Sequence, residues 1–451
     1  MNKDFSASRQ ENSVEKRVEK RVGKKSKKTK QEVVCDYIYE NYGQWGSIRF
    51  DDIANKVQLL KPFKQVGCDG KIAVETCWQY LSDADINTMV CNCCKETGVN
   101  IGAKEIRTVL YAGDEYIKHV NPLQDYLYSR KAYDPVHEPD WLEMVGRFVE
   151  LKYPTDWSDE QKNELYNRWL LEFKMWMVGM VAGWIRMDNS NQAVLLLIGR
   201  QGIFKTTFLE YLLPPELRHY CSKLSSTREL KKDDRLRIVE FGMVNLDELD
   251  AMGRREMNVL KSVITATDVN ERVAYGYTKE RRPRIASFCG SSNNKECLTD
   301  LTGLRRFWPY EVENIKNPHY HFSELLYDRM YAQALHLYES GFKYWYDSCE
   351  NEELEQYKEE FRMKDAEEDL LLMYFDIPHD GGGVFMTAAQ IQDKLITMGS
   401  IKRPMHVAQF GRILSKMGFK KTKKGSLRTS GYWVYERNSD EIAANKRLRD
   451  V

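Results

Sequence analysis

The chain has 451 residues, 30% of them charged, and a formal net charge of +1. This length exceeds one ordinary hydrophobic core, so two or three domains are expected. The near-neutral balance excludes a uniformly polybasic nucleic-acid binder but permits local basic patches. No apolar run reaches the roughly 18 residues that a membrane-spanning helix requires, and no apolar signal segment precedes the first domain. We therefore predict a cytoplasmic protein with no membrane partner and with reduced cysteines.

The first 150 residues divide into a basic arm and a region of short elements. Residues 1–31 are rich in lysine and arginine and lack aromatic residues after Phe5, which predicts a disordered arm. This arm either neutralises DNA phosphates or is a solvated tail. Residues 32–150 alternate short helical patterns with turns, and we predict a mainly helical N-terminal region.

Apolar residues at helical spacing predict a long helix over residues 160–187. Its tryptophans favour packing in a hydrophobic core over stacking on bases.

Residues 193–207 carry the pattern of a phosphate-binding loop. They read Ala-Val-Leu-Leu-Leu-Ile-Gly-Arg-Gln-Gly-Ile-Phe-Lys-Thr-Thr, which predicts a buried strand, a turn and the start of a helix. Backbone N–H groups and the helix dipole attract phosphates in such a loop. Lys205 is predicted to reach the β- and γ-phosphates of ATP, and the Thr206 hydroxyl to hold Mg²⁺. The predicted nucleotide-binding residues are Gly199, Gln201, Gly202, Lys205, Thr206 and Thr207.

One residue of this loop departs from the pattern G-x-x-x-x-G-K-[ST]. Phe204 stands where the second glycine is usual. Glycine tolerates backbone angles that phenylalanine adopts only at some cost, and we expect Gly202 to supply the freedom that the turn needs. The alternative is an ordinary strand, turn and helix with a surface lysine.

An acidic pair follows the next β-rich run. Residues 237–246 are predicted to be a strand that ends in Asp247 and Glu248. Ligands of α/β sheets bind at the carboxyl ends of strands. Asp247 is therefore predicted to position the metal ion, and Glu248 to orient and deprotonate the attacking water. Capping of a helix is the alternative for this pair.

Two later segments complete the predicted catalytic set. A strand over residues 284–290 leads to a polar tip, whose Asn293 is predicted to contact the γ-phosphate or the attacking water. The adjacent Arg305 and Arg306 are predicted to act as an arginine finger across a subunit boundary, because arginine binds phosphate through a planar, permanently charged fork. The alternative for Asn293 is a position in an ordinary turn. The alternative for Arg305 and Arg306 is a solvated basic patch.

The segment between the acidic pair and the polar tip is predicted to bind DNA. Residues 267–284 interleave basic residues with Tyr275 and Tyr277, a composition suited to a nucleic-acid backbone with stacking support. A surface hairpin with charged flanks is the alternative. The predicted DNA contacts are Arg272, Lys279, Arg281 and Arg282.

The C-terminal part of the chain has the pattern of a separate module. Glycines at 381–383 mark a break in the chain. Helices are predicted from 387 to 395 and from 405 to 417, followed by two β-rich runs. The order helix, helix, β-hairpin predicts a winged-helix-like domain that binds DNA or, alternatively, protein. Its predicted DNA contacts are Lys420, Lys421, Lys423 and Lys424.

The order of these segments resembles the virulence-associated E family of phages and mobile genetic islands. The resemblance covers about residues 190–315 and rests on GRQGIFKTTFLEYLLPPEL, VNLDELD, VLKSVITATDVNERVAYGY, FCGSSN and DLTGLRRFWPYEV. The family is similar to the superfamily 3 helicases, a branch of the AAA+ ATPases. The resemblance implies an α/β AAA+ type P-loop core, a homo-oligomeric ring (a hexamer), and a basic hairpin that points into the ring's channel.

We therefore predict an ATPase that unwinds or remodels DNA during replication of a phage or mobile element. Its predicted cofactors are ATP and Mg²⁺, and its predicted partner is single-stranded DNA. No metal-binding primase motif is present, so priming would come from a separate chain. The alternatives are a nucleotide-switched, non-catalytic DNA-binding replication or regulatory factor and a phage-defence ATPase. The predicted segments are 1–31 (arm), 32–150 (N-terminal region), 151–345 (ATPase domain), 346–383 (helical linker), 384–440 (winged-helix-like domain) and 441–451 (tail).

Overall fold

The computed structural model describes most of the chain from residue 28 to residue 443. The described ranges are 28–44, 46–66, 72–113, 116–186, 190–224, 232–271, 280–298, 304–347, 350, 357–362, 366–378, 383–399, 404–424 and 428–443. Most of the predicted basic arm lies outside these ranges. Its last residues are helical, because Thr29 caps the helix Lys30–Ile38 through a capping box with Glu32. Among the described helices, none combines the length and apolar character needed to cross a membrane.

The N-terminal region is mixed α/β, so the prediction of a mainly helical region is wrong. A four-stranded sheet has the order β3-β2-β1-β4. Residues 72–80 place β-branched or aromatic side chains at every second position, a spacing that favours a strand over a helix. The strands are β1 Ile48–Asp51, β2 Lys56–Val66, β3 Ile72–Tyr80 and β4 His119–Val120. The further helices of this region are Asp83–Thr97, Ala103–Leu110, Pro122–Tyr128 and Trp141–Gly146, and a π-helix spans Tyr39–Gly43.

A six-stranded sheet occupies the centre of the chain. Its order is β5-β12-β6-β11-β8-β7, with five parallel strands and with β5 antiparallel at one edge. Every residue of β6, β8 and β11 is buried, as expected for parallel strands that are covered on both faces. The strands are β5 Val149–Leu151, β6 Val194–Ile198, β7 Cys221–Leu224, β8 Met243–Leu246, β11 Ser287–Ser292 and β12 Phe307–Ile315.

The strand predicted over residues 237–246 is shorter than expected, with four residues. Residues 237–240 end the helix Lys232–Glu240, and the strand begins at Met243. Ile238 and Val239 are both buried, so their apolar character comes from helix packing rather than from pairing in the sheet. The other helices around the sheet are Lys205–Tyr211, Arg254–Thr265, Pro318–His321 and Glu324–Glu339.

The long helix Asp159–Ile185 confirms the prediction of a core helix. Trp169, Trp176 and Trp184 are fully buried. Each indole N–H donates to a main-chain oxygen, at 2.9 Å to Gly146, 2.9 Å to Phe288 and 3.1 Å to Gly242 in that order. These tryptophans therefore fasten the helix to the sheet and its surroundings, and none of them is available to bases.

Asp51 joins the N-terminal region to the central sheet. This fully buried carboxylate accepts hydrogen bonds from the hydroxyls of Tyr220, at 2.5 Å, and Tyr80, at 3.2 Å. The main-chain N–H groups of Ile53 and Ala54 also donate to it. Because Tyr220 directly precedes β7, the carboxylate connects two sheets through bonds that satisfy its charge.

The C-terminal elements follow the predicted order of helix, helix and β-hairpin. The helices Ala388–Gly399 and Val407–Lys416 precede β15 Lys421–Lys424 and β16 Thr429–Glu436. The same unit also includes the helix Ala366–Tyr374, β13 Phe375–Asp376 and β14 Val384–Met386. Leu371 and Phe375 pack in one core with Phe410 and Val434, so this unit begins within the predicted linker.

Candidate active site

The phosphate-binding loop leaves the carboxyl end of β6 in a tight turn. A Cβ atom at Gly199 would lie 2.4 Å from the Val312 carbonyl oxygen, so only glycine fits there. Gly202 has φ +86°, which confirms its expected role in the turn. Phe204 also has a left-handed backbone, with φ +66° and ψ +18°, directly before the helix that begins at Lys205. The loop therefore keeps the conformation of a glycine at the position where this chain has phenylalanine.

Lys205 lies inside this loop. Its ammonium group donates to the carbonyl oxygens of Gly199 and Arg200, at 2.6 and 2.7 Å, and to Oδ1 of Asn293, at 3.0 Å. Burial lowers the pKa of Lys205, while the charges of Asp247 and Asp250 oppose that change. The predicted lysine and the predicted polar tip are thus in direct contact, although 88 residues separate them in sequence.

Thr206, Asp247 and Ser291 form a second hydrogen-bonded group beside the lysine. Oδ1 of Asp247 accepts from the Thr206 hydroxyl at 3.0 Å and from the Ser291 hydroxyl at 2.8 Å. The two hydroxyl oxygens are 3.1 Å apart. Carboxylate and hydroxyl oxygens are ligands that Mg²⁺ accepts, with water and substrate phosphates completing its coordination. The donor set therefore fits the predicted magnesium site.

The acidic segment after β8 contains one residue that the sequence analysis did not select. Glu248 is exposed and has a left-handed backbone, with φ +55° and ψ +54°. Asp250 lies near enough to Lys205 for its charge to raise the lysine pKa. The signal for Asp250 in the sequence is the acidic run Asp247-Glu248-Leu249-Asp250. At the entrance of the loop, Gln201 is exposed and Thr207 is half-buried.

Arg305 and Arg306 lie at the amino end of the central strands, opposite to the end from which the loop leaves. They directly precede β12, in which Phe307 pairs with Val194 at the start of β6. The loop instead follows Ile198, four residues further along, which is about 13 Å of strand. Arg305 is exposed and Arg306 is half-buried. The pair is therefore not brought to the loop of its own chain.

The structure describes the two paired strands at the base of the predicted DNA-binding hairpin. β9 Asp268–Glu271 and β10 Glu280–Pro283 pair antiparallel, while Arg272 and Lys279 lie outside the described residues. The Arg281 side chain is 76% exposed and forms an ion pair with Asp268 at 2.8 Å.

Arg282 faces the interior of the molecule rather than solvent. Its side chain is only 14% exposed, and its guanidinium donates to the Ile53 carbonyl oxygen at 2.6 Å and approaches Glu240 at 3.4 Å. The direct phosphate contact predicted for Arg282 is corrected accordingly, because these bonds hold the side chain against the N-terminal region.

The predicted lysines of the C-terminal unit are all exposed. Lys420 precedes β15, and Lys421, Lys423 and Lys424 belong to that strand. They form one basic stretch on the β15–β16 hairpin, away from the core that contains Phe410.

Comparison with known proteins identifies the central part of the chain. Residues 152–363 match the family model described as the virulence-associated protein E-like domain. No curated protein matches the sequence. Two solved structures align with most of this chain and with most of their own length. The apo C-terminal region of NrS-1 (305–718) is 13% identical with a TM-score of 0.39, covering 86% of this chain and 96% of that one. A structure titled "SCCmec type IV Cch - active helicase" is 9% identical with a TM-score of 0.34, covering 88% and 99%. Residues 152–363 are therefore a virulence-associated protein E-like domain.

Proposed function

We propose that the protein is an AAA+ type ATPase that unwinds or remodels DNA during replication of a phage or mobile element. The observation that carries this proposal is the cluster of two adjacent hydrogen-bonded groups at the carboxyl end of the central strands. In it Lys205 contacts Asn293, and Asp247 accepts from Thr206 and Ser291. A buried cation and a hydroxyl at the start of the loop helix, with a carboxylate at the end of β8, are the groups that bind a nucleoside triphosphate with its metal.

Each residue of the cluster has a chemical role in this proposal. Lys205 would exchange its carbonyl partners for phosphate oxygens, and Thr206 and Asp247 would hold Mg²⁺, which neutralises the charge of the phosphates. Glu248, exposed at the same edge, would take a proton from the attacking water. Asn293 would orient that water or the γ-phosphate.

The position of the arginine pair supports a site shared between subunits. Arg305 and Arg306 lie about 13 Å of strand from the loop of their own chain. An arginine at the amino end of the strands is placed to contact a γ-phosphate that an adjacent copy binds. We therefore propose a homo-oligomeric ring in which Arg305 or Arg306 completes the neighbour's site.

The basic surfaces support DNA as the partner. Arg281 is exposed on the base of the hairpin, and the lysines of β15 extend from a helix-helix-hairpin unit that we propose to be a winged helix. Lysine and arginine side chains bind phosphates without reading sequence. The ATPase cycle would then act on single-stranded DNA held by these surfaces.

An ATPase assay with and without single-stranded DNA tests the proposal. We expect Mg²⁺-dependent hydrolysis that DNA stimulates and that Lys205→Ala abolishes. The matched control is Lys343→Ala, because Lys343 is 46% exposed and pairs with Glu350, remote from the loop in sequence. Full activity in Lys205→Ala would contradict the assignment of the loop. ATP binding without any hydrolysis by the native protein would favour a nucleotide-operated switch instead.

A further inference from the structure

The C-terminal sheet presents aromatic side chains on the face turned away from its core. Along β16, Tyr432 and Val434 are 2% and 0% exposed, whereas Trp433 and Tyr435 are 37% and 40% exposed. Side chains of a strand alternate between its two faces, so Trp433 and Tyr435 share the outer face. Phe385 on β14 is directly opposite Trp433 and therefore lies on the same face.

The rings on this face are held by specific contacts. Phe385 and Trp433 meet edge to face, with centroids 5.7 Å apart and planes at 66°. A Cβ atom at Gly431 would lie 2.6 Å from Cζ of Phe385, so the glycine makes room for that ring. These contacts fix both rings and leave part of the Trp433 surface in solvent.

A lysine adjoins the aromatic pair. The ammonium of Lys424 is 4.6 Å from the centroid of Trp433 and 5.6 Å from that of Phe385. Lys424 is opposite Thr429 and so lies on the face of Trp433, whereas Lys421 and Lys423 are opposite Tyr432 and Ser430 on the other face. Lys424 therefore supplies positive charge at the β15 side of the aromatic face. At the Tyr435 end of the aromatic face, the Tyr435 hydroxyl donates to the Glu441 carboxylate at 3.2 Å. The negative charge of Glu441 makes this end of the face less favourable for an anion.

We propose that Phe385, Trp433 and Tyr435 form a platform on which unpaired DNA bases stack, while Lys424 contacts the adjoining phosphate. Exposed rings beside a cation complement a polyanion that carries planar apolar groups. Stacking of bases on aromatic rings tolerates any sequence and requires bases that are free of a duplex. The inference deepens the proposed function, since it rests on DNA binding by the β15 lysines and names single-stranded DNA as their ligand.

The platform is tested with two oligonucleotides of equal length, one of ordinary single-stranded DNA and one abasic throughout. The native full-length protein is expected to bind the ordinary strand more tightly, because the abasic strand offers only phosphates. Trp433→Leu is expected to weaken binding of the ordinary strand by roughly 5- to 100-fold for the stacking of one base, with unchanged affinity for the abasic strand. The slope of log affinity against log salt stays unchanged in that variant, whereas Lys424→Ala reduces it by about 0.7.

Two further variants separate stacking from structural damage. Trp345→Leu removes a tryptophan that is 54% exposed outside the C-terminal unit, and it is expected to bind both strands as the native protein does. Trp433→Phe keeps an aromatic ring and is expected to retain most of the preference for bases.

The possible results have different consequences for the two proposals. Equal binding of the ordinary and abasic strands by the native protein overturns the platform, and so does an unchanged preference in Trp433→Leu. If the native protein binds neither strand, the proposed DNA function fails together with the platform. The platform is supported if Trp433→Leu no longer prefers the ordinary strand over the abasic strand while its slope of log affinity against log salt stays native. If Trp433→Phe loses this preference to the same extent, the platform is overturned in favour of a structural effect.

Discussion

Replacing Phe204 tests how the loop accommodates a residue other than glycine. A left-handed conformation costs a non-glycine residue about 1–2 kcal/mol, and Phe204 has φ +66°. Its side chain is 37% exposed, so removing the ring loses only part of its hydrophobic contribution. Glycine relieves the left-handed strain but costs about 0.5–1 kcal/mol more than alanine in conformational entropy. We expect Phe204→Gly to be more stable than Phe204→Ala by roughly 0.5–1 kcal/mol.

The assay compares melting temperatures of the two variants, which should differ by about 1–4 °C. Gln201 in the same loop is the matched control, because it is exposed and is not among the residues with positive φ. There the order should reverse, with Gln201→Gly less stable than Gln201→Ala. If alanine is the more stable replacement at both positions, Phe204 stores no left-handed strain and the reasoning is refuted.

Four further predictions address the subunit boundary, the hairpin and the junction with the N-terminal region. Arg305→Ala should be inactive as a pure protein but should recover part of its ATPase activity when mixed with Lys205→Ala subunits, and no recovery at any ratio would argue against a shared site. Arg281→Ala should lower the salt slope of single-strand binding by about 0.7, measured by fluorescence anisotropy. Arg282→Ala should leave that slope unchanged but lower the melting temperature, since its guanidinium bonds hold the hairpin base to the N-terminal region; a changed slope would restore its role as a DNA contact. Asp51→Ala should destabilise the protein by about 2–4 kcal/mol, because buried tyrosine hydroxyls lose their acceptor, and a variant as stable as the native protein would contradict this.

Local signals in the sequence were sufficient for the elements with strong patterns. The long helix Asp159–Ile185 and the strand and helix around the loop were predicted from apolar spacing and glycine positions alone. The sheet in residues 48–80 was missed, although every second residue of 72–80 is β-branched or aromatic. Helical patterns lie on both sides of this run, and they favour helix for the region as a whole.

Contacts between distant segments could not be read from the sequence. Asp247 meets Ser291 because β11 inserts between β6 and β8, an order that differs from their order along the chain. Likewise, composition shows that Arg282 is basic but not that its side chain faces Ile53. The sequence therefore supplied the residue types of the site, and the strand order determined which of them are neighbours.

The central claim is that the loop and the acidic pair hydrolyse ATP, and Glu248→Gln tests it most directly. The change keeps the shape of the side chain and removes the proposed base. We predict that the variant binds ATP with native affinity in a calorimetric titration, while its single-turnover hydrolysis rate falls by about 100-fold or more. A variant that hydrolyses ATP at the native rate would contradict the claim that Glu248 activates the water, and a native protein that binds ATP but never cleaves it would contradict the claim as a whole.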